Sequence, residues 1–85
     1  MGQATEIYSK EFQGIFDRLP SGIRVRIIEK IRHVGRLLEI FPHERLQGRN
    51  EFRLRVGDYR IIYEFDSAKN EISLVTLGHR REVYR

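Results

Sequence analysis

No cysteine occurs among the 85 residues, which excludes a disulfide framework and a thiolate metal site and is compatible with a reducing compartment. Long apolar runs are missing too, and Met1-Gly-Gln-Ala-Thr-Glu6 is not a basic start followed by an apolar core. Neither secretion nor membrane spanning is expected, and the expected location is cytoplasmic. The chain lacks a phosphate-binding glycine loop, HExxH, GxSxG and any carboxylate cluster with metal spacing. Three scattered histidines without cysteine do not make a metal site, so no metal or cofactor is expected. Chemistry is left to arginine, tyrosine and histidine.

Lysine is also scarce. Lys10, Lys30 and Lys69 are the only lysines among sixteen basic residues, so thirteen are arginine, and the net charge is +4. A positive chain favours a polyanionic partner. Arginine presents a planar fork of donors that suits phosphate and stacks on bases, which ranks nucleic acid above a membrane surface. The length fits a single domain, 1–85, with an economical core.

The most ordered pattern is Glu51-Phe-Arg-Leu-Arg-Val-Gly-Asp-Tyr-Arg-Ile-Ile-Tyr-Glu-Phe65. Apolar and polar residues alternate with period two on both sides of Gly57-Asp58. This predicts a β-hairpin closed by a type II′ turn with Gly in first place. Val56 then faces Tyr59, Arg55 faces Arg60, Leu54 faces Ile61, Arg53 faces Ile62 and Phe52 faces Tyr63. Phe52, Leu54, Val56, Tyr59, Ile61 and Tyr63 share the core face, and Arg53, Arg55 and Arg60 share the other. Like charges directly opposite cost roughly a few tenths of a kcal/mol, so Arg55 against Arg60 makes sense where an anion sits over the pair. The plainer alternative is a solvated face neutralised by Glu51, Asp58 and Glu64.

Around the hairpin, Ala4-Thr-Glu-Ile-Tyr8 is a short strand anchored by Ile7 and Tyr8. Ser9 is an N-cap for a helix from Lys10 to Leu19, with Phe12, Ile15, Phe16 and Leu19 at helical spacing. Pro20 ends it, and Ser21 caps a second helix from about Gly22 towards Glu39. Ile27, Ile28, Ile31, Val34, Leu38 and Phe41 form its apolar stripe. Arg24, Arg26, Lys30, Arg32 and Arg36 give it a basic surface for a nucleic-acid backbone or an acidic partner. Residues 41–50 read as a loop pinned by Leu46, with His43 an ordinary surface histidine and Arg45 and Arg49 flanking the hairpin. Glu71-Ile-Ser-Leu-Val-Thr-Leu77 returns antiparallel to residues 59–65, and Gly78-His-Arg-Arg-Glu-Val-Tyr-Arg85 closes the chain. The fold class is α+β: an antiparallel sheet of about four strands against an N-terminal helical hairpin, in the order β-α-α-β-β-β.

Leu46-x-Gly48, Phe52-Arg-Leu-Arg-Val-Gly-Asp-Tyr-Arg-Ile-Ile-Tyr63 and Gly78-His-Arg-Arg-Glu-Val-Tyr84 closely resemble the RelE/ParE toxin superfamily, and His-Arg-Arg-x-x-Tyr resembles its RelE branch. The resemblance covers essentially the whole chain. It implies the toxin of a type II toxin-antitoxin pair, a ribosome-dependent endoribonuclease (mRNA interferase) that cuts mRNA in the ribosomal A site. A RelB-type antitoxin in a hetero-oligomer would silence it. The family's functional positions fall on Arg53, Arg55, Arg60, Arg80 and Tyr84. Some members carry lysine at the first two, and arginine there removes a group able to accept a proton.

Metal-free RNA cleavage proceeds by attack of the ribose 2′-OH on the adjacent phosphate through a dianionic pentavalent transition state. Arg60 and Arg80 are the candidates to stabilise it, since one preorganised donor is worth roughly a hundredfold in rate. Arginine, with a reference pKa above about 12, is a poor base. Tyr84 is the internal candidate for proton transfer, or for stacking on a base, or for packing at the sheet edge. His79 ranks below it because alternation turns it away from Arg80. Arg49, His79, Arg81, Arg24 and Lys30 are the candidate RNA- or ribosome-binding residues. Two other readings remain open: a ParE-like toxin that poisons DNA gyrase, and a non-catalytic basic RNA- or ribosome-binding module.

Overall fold

The computed structural model describes residues 2–81. Its elements are β1 (Thr5–Tyr8), α1 (Lys10–Asp17), α2 (Ser21–Arg36), β2 (Glu44–Arg45), β3 (Phe52–Val56), β4 (Tyr59–Asp66) and β5 (Glu71–His79). The strands form one sheet in the order β1-β5-β4-β3-β2. Helix α1 packs over β5 and α2 over β3. The α+β class and the helical hairpin on one face are therefore as expected.

The hairpin register matches the predicted one at all five pairs, from Phe52 opposite Tyr63 to Val56 opposite Tyr59. Gly57 has φ 58°, and Asn70 is the only non-glycine with positive φ among the described residues. Only the first turn position is therefore left-handed, as a type II′ turn requires.

The sheet departs from the expectation in two places. It has five strands, because Glu44–Arg45, read as loop, pairs antiparallel with Phe52 and Arg53. It is also mixed, because β1 runs parallel to β5, with Thr5 opposite Glu71 and Tyr8 opposite Leu74. The helical hairpin delivers the chain to the far side of the sheet, so β1 neighbours the last strand rather than the next one. Only one of its two expected anchors is buried: Tyr8 packs on the core, whereas Ile7 on the opposite face is 44% exposed.

Strand β5 contains a bulge. Ile62 pairs with Thr76 but Tyr63 pairs with Leu74, which leaves Val75 as the extra residue. The bulge restores the inward set across a change of parity: Ile72 and Leu74 before it and Leu77 after it are all buried. Ser9 ties this irregularity to α1. Its hydroxyl donates to the Val75 carbonyl at 2.5 Å and accepts from the Phe12 amide at 3.0 Å, which is the predicted N-cap.

Both helices end earlier than predicted. After Asp17, the Arg18 and Leu19 amides bond to Ile15 and Phe16 in a tightened turn. Ser21 is the first residue of α2 rather than its cap; Pro20 is the cap, with no side-chain bond. Leu38 and Phe41 reach the core from the turns beyond Arg36. Phe12, Ile27, Ile31 and Val34 from the helices meet Leu54, Ile61, Tyr63, Ile72 and Leu74 from the sheet. Each large apolar side chain buried there contributes roughly 1.5–3 kcal/mol. Gly35 lets the N-terminal segment approach α2: a Cβ there would lie 2.7 Å from Gln3 Nε2, and the Ala4 amide bonds to the Gly35 carbonyl at 3.2 Å.

Candidate functional site

With both helices on one face, the other face of the sheet carries the hairpin arginines. Arg55 stands directly opposite Arg60, and Arg53 is opposite Ile62 on one side and Glu44 on the other. Arg60 pairs in turn with Gly78 of β5. The Arg80 amide donates to the Asp58 carbonyl at 2.8 Å, which places Arg80 at the turn end of the hairpin, beyond the Arg60–Gly78 pair. Arg53, Arg55, Arg60 and the Arg80 backbone thus share one end of the sheet. Tyr84 lies outside the described residues.

Electrostatically the face is neither bare nor balanced. The Arg53 guanidinium donates to the Glu44 carboxylate in an ion pair. That hydrogen bond first, and then the positive charges of Arg53, Arg55 and Arg60, hold the Glu44 carboxyl below the ordinary glutamate range, against the opposing effect of desolvation. One carboxylate therefore lies in the field of all three arginines. Of the three carboxylates expected to neutralise the face, only Glu51 forms an ion pair among the described residues, and its partner is Arg49. Glu44 was missed because it lies in the two-residue strand that reads as loop. Its one sequence signal is the run Glu44-Arg45-Leu46, polar-polar-apolar before a glycine, which is too short for a period.

The buried Arg60 Nε has no hydrogen-bond partner among the described residues. Most buried donors are satisfied, so an orphan on the face that carries three arginines leaves room there for an incoming acceptor. The tyrosines in the core cannot serve as bases. Burial and a hydrogen bond to Glu6 raise the Tyr8 pKa, and burial raises that of Tyr63, so both stay protonated.

The binding candidates divide. Lys30 lines a groove between α2 and β3 together with Arg55, which joins it to the arginine face. Arg24 lies on another side of α2, lining a groove with Phe16, Val25 and Ile28, and its buried Nε has no partner among the described residues. His79 pairs with Tyr59, edge-on at 5.9 Å, on the helix side of the sheet and away from Arg60. Arg81 is exposed, with its amide 3.5 Å from His79 Nδ1. Among the described residues no cluster of three metal-ligating side chains forms, and no helix is long and apolar enough to cross a membrane.

His43 is not the ordinary surface histidine expected. Its ring stacks on Phe65 at 3.9 Å, and the Phe41 and Phe52 rings stand edge-on to it. The Leu38 carbonyl, 2.7 Å from Nε2, can only accept, so Nε2 carries the proton and Nδ1 accepts from the Tyr63 hydroxyl at 2.5 Å. Aromatic residues from the loop, β3 and β4 converge on it, which spacing along the chain does not reveal.

A helical hairpin on a mixed five-stranded sheet is the architecture of a RelE/ParE-superfamily toxin. The family model described as "ParE toxin of type II toxin-antitoxin system, parDE" matches residues 7–84, and the chain belongs to that family. No curated protein matches. Among solved structures, it is similar to the toxin-antitoxin complex RelBE2 from Mycobacterium tuberculosis, at 21% identity and TM-score 0.76 over 96% of this chain and 97% of that one. The isolated E. coli RelE toxin matches at 20% identity and TM-score 0.76, over 95% and 90% of the two chains. The RelB-RelE complex from Methanococcus jannaschii matches at 28% identity and TM-score 0.67, over 92% and 94%.

Proposed function

We propose that this toxin is a metal-free endoribonuclease that cuts mRNA in the ribosomal A site. The observation behind the reading is the convergence of Arg53, Arg55 and Arg60 with one ionised carboxylate, Glu44, on a single sheet face where a buried Arg60 donor has no acceptor. A phosphate diester meets those requirements. It accepts from Arg60 and separates two like charges that otherwise repel.

In the reaction the 2′-OH gives its proton to Glu44 as its oxygen attacks phosphorus, and the bond to the 5′-oxygen breaks. The products are a 2′,3′-cyclic phosphate and a 5′-OH, and Tyr84, where the family's tyrosine falls by resemblance, is the candidate for the remaining proton transfer. Arg55, Arg60 and Arg80 stabilise the charge that develops on the equatorial oxygens, in the manner of a preorganised oxyanion site. A RelB-type antitoxin, as in the complexes of the structural relatives, silences the enzyme in a hetero-oligomer by covering this face with acidic residues.

Primer extension on a defined mRNA in a purified translation system tests the reading. Ribosome-dependent cuts are expected, and Arg60→Gln and Glu44→Gln each lower their rate by roughly a hundredfold or more. The second reading, a gyrase poison, is favoured by the match to the ParE model. An intact message together with gyrase-dependent DNA breaks that persist in Glu44→Gln would select it.

A further inference from the structure

Helical geometry sorts the basic residues of α2 into separate stripes. Ile27, Ile31 and Val34 form the buried one. On one flank Arg26, Lys30 and His33 recur at i, i+4 and i+7; on the other lie Arg24, Ile28 and Arg32. The first flank meets the hairpin. Together with Glu29 it lines an open groove of about 420 Å³, whose opposite wall includes Arg55 and Gly57.

Two features of the sheet open this groove. Strand β2 pairs with Phe52 and Arg53, so among the described residues the outer edge of β3 from Leu54 to Val56 has no strand beside it. Gly57, with positive φ, has no side chain to hold the Arg26 guanidinium away: a Cβ there would already stand 3.4 Å from Arg26 Nη2. Arg55 belongs to both the groove and the arginine face, so the two are continuous round the free edge of β3. Among the described residues Arg26, Lys30 and Arg55 form no ion pair, and Glu29 is the one carboxylate in the groove. Three unpaired cations against one anion, in a channel that leads away from a phosphate-shaped site, form a track for a chain of phosphates.

We infer that this groove is a second binding segment for single-stranded RNA, which leaves the arginine face round the edge of β3 and lays successive phosphates against Arg26 and Lys30. The identity of the polyanion rests on the ribonuclease reading, and the groove's role is binding rather than chemistry. Fluorescence anisotropy with 2′-O-methyl RNA, which cannot be cut, separates the two. Oligonucleotides of about three nucleotides, below the usual range of single-strand sites, and about twelve, within it, are compared. Wild type binds the longer one more tightly. Arg26→Gln/Lys30→Gln loses that advantage, binds the longer RNA about tenfold more weakly, and lowers the log-log salt slope by about 1.4, or 0.7 for each lost phosphate contact. It leaves binding of the short RNA unchanged, whereas Arg60→Gln weakens both.

Wild-type affinity and salt slope in the double variant, with Arg60→Gln still weakened, would overturn the groove and leave the arginine face standing. Unchanged binding in Arg60→Gln would overturn the ribonuclease reading and the track that continues from it. Loss of affinity in the double variant for an acidic peptide but not for RNA would assign the groove to a protein partner and equally overturn the proposal.

Discussion

The two faces of strand β4 treat polar groups in opposite ways. On the helix side, Tyr63 is fully buried, its hydroxyl donates to His43 Nδ1, and His43 Nε2 donates to the Leu38 carbonyl. Phe41, Phe52 and Phe65 close round the pair. On the other side, Arg60 stands against Arg55 with a buried donor that meets no acceptor among the described residues. A closed network rigidifies a core, whereas an open one lowers stability unless a ligand completes it. Residues three apart on one strand thus differ in whether the fold itself satisfies their polar groups.

The comparison breaks most visibly by truncation. Tyr63→Ala is expected to cost roughly 3–5 kcal/mol in denaturant unfolding, as for large buried aromatics in general. Arg60→Gln removes an unsatisfied buried Nε–H and relieves the charge facing Arg55, and is expected to raise the unfolding midpoint slightly; a loss comparable to that of Tyr63→Ala would show that the arginine is structural. Tyr63→Phe is subtler. It keeps the ring and strands His43 Nδ1 without its donor, for a cost of roughly 1–3 kcal/mol.

The carboxylate on the open face gives a pH test. Glu44 is held below its usual range chiefly by Arg53. Its pairing is therefore present above the unfolded glutamate value of about 4.3 and is lost as pH falls through the lower folded value. A carboxyl NMR titration should find that depressed midpoint, and Arg53→Gln should move it upward; an unmoved midpoint would remove Arg53 as its cause. The smallest effect is Arg55→Gln, which relieves the facing arginines and should raise stability by a few tenths of a kcal/mol. A decrease would mean that the pair is already neutralised.

Local periodicity is what the chain alone carries. Alternation about Gly57 was enough to set every pair of the hairpin and to put Arg53, Arg55 and Arg60 on one face, because a one-residue slip would turn Phe52, Leu54 and Ile61 out of the core. Helical spacing likewise marked Phe12, Ile27, Ile31 and Val34 as core. The parallel seat of β1 beside β5, the bulge at Val75, the two-residue β2 with its Glu44, and the aromatic cage of His43 were decided only in three dimensions. Each joins segments far apart in sequence or too short to show a period. Their partners exist only once the sheet and the helical hairpin have packed, and so it was tertiary structure that brought an ionised carboxylate among the three arginines.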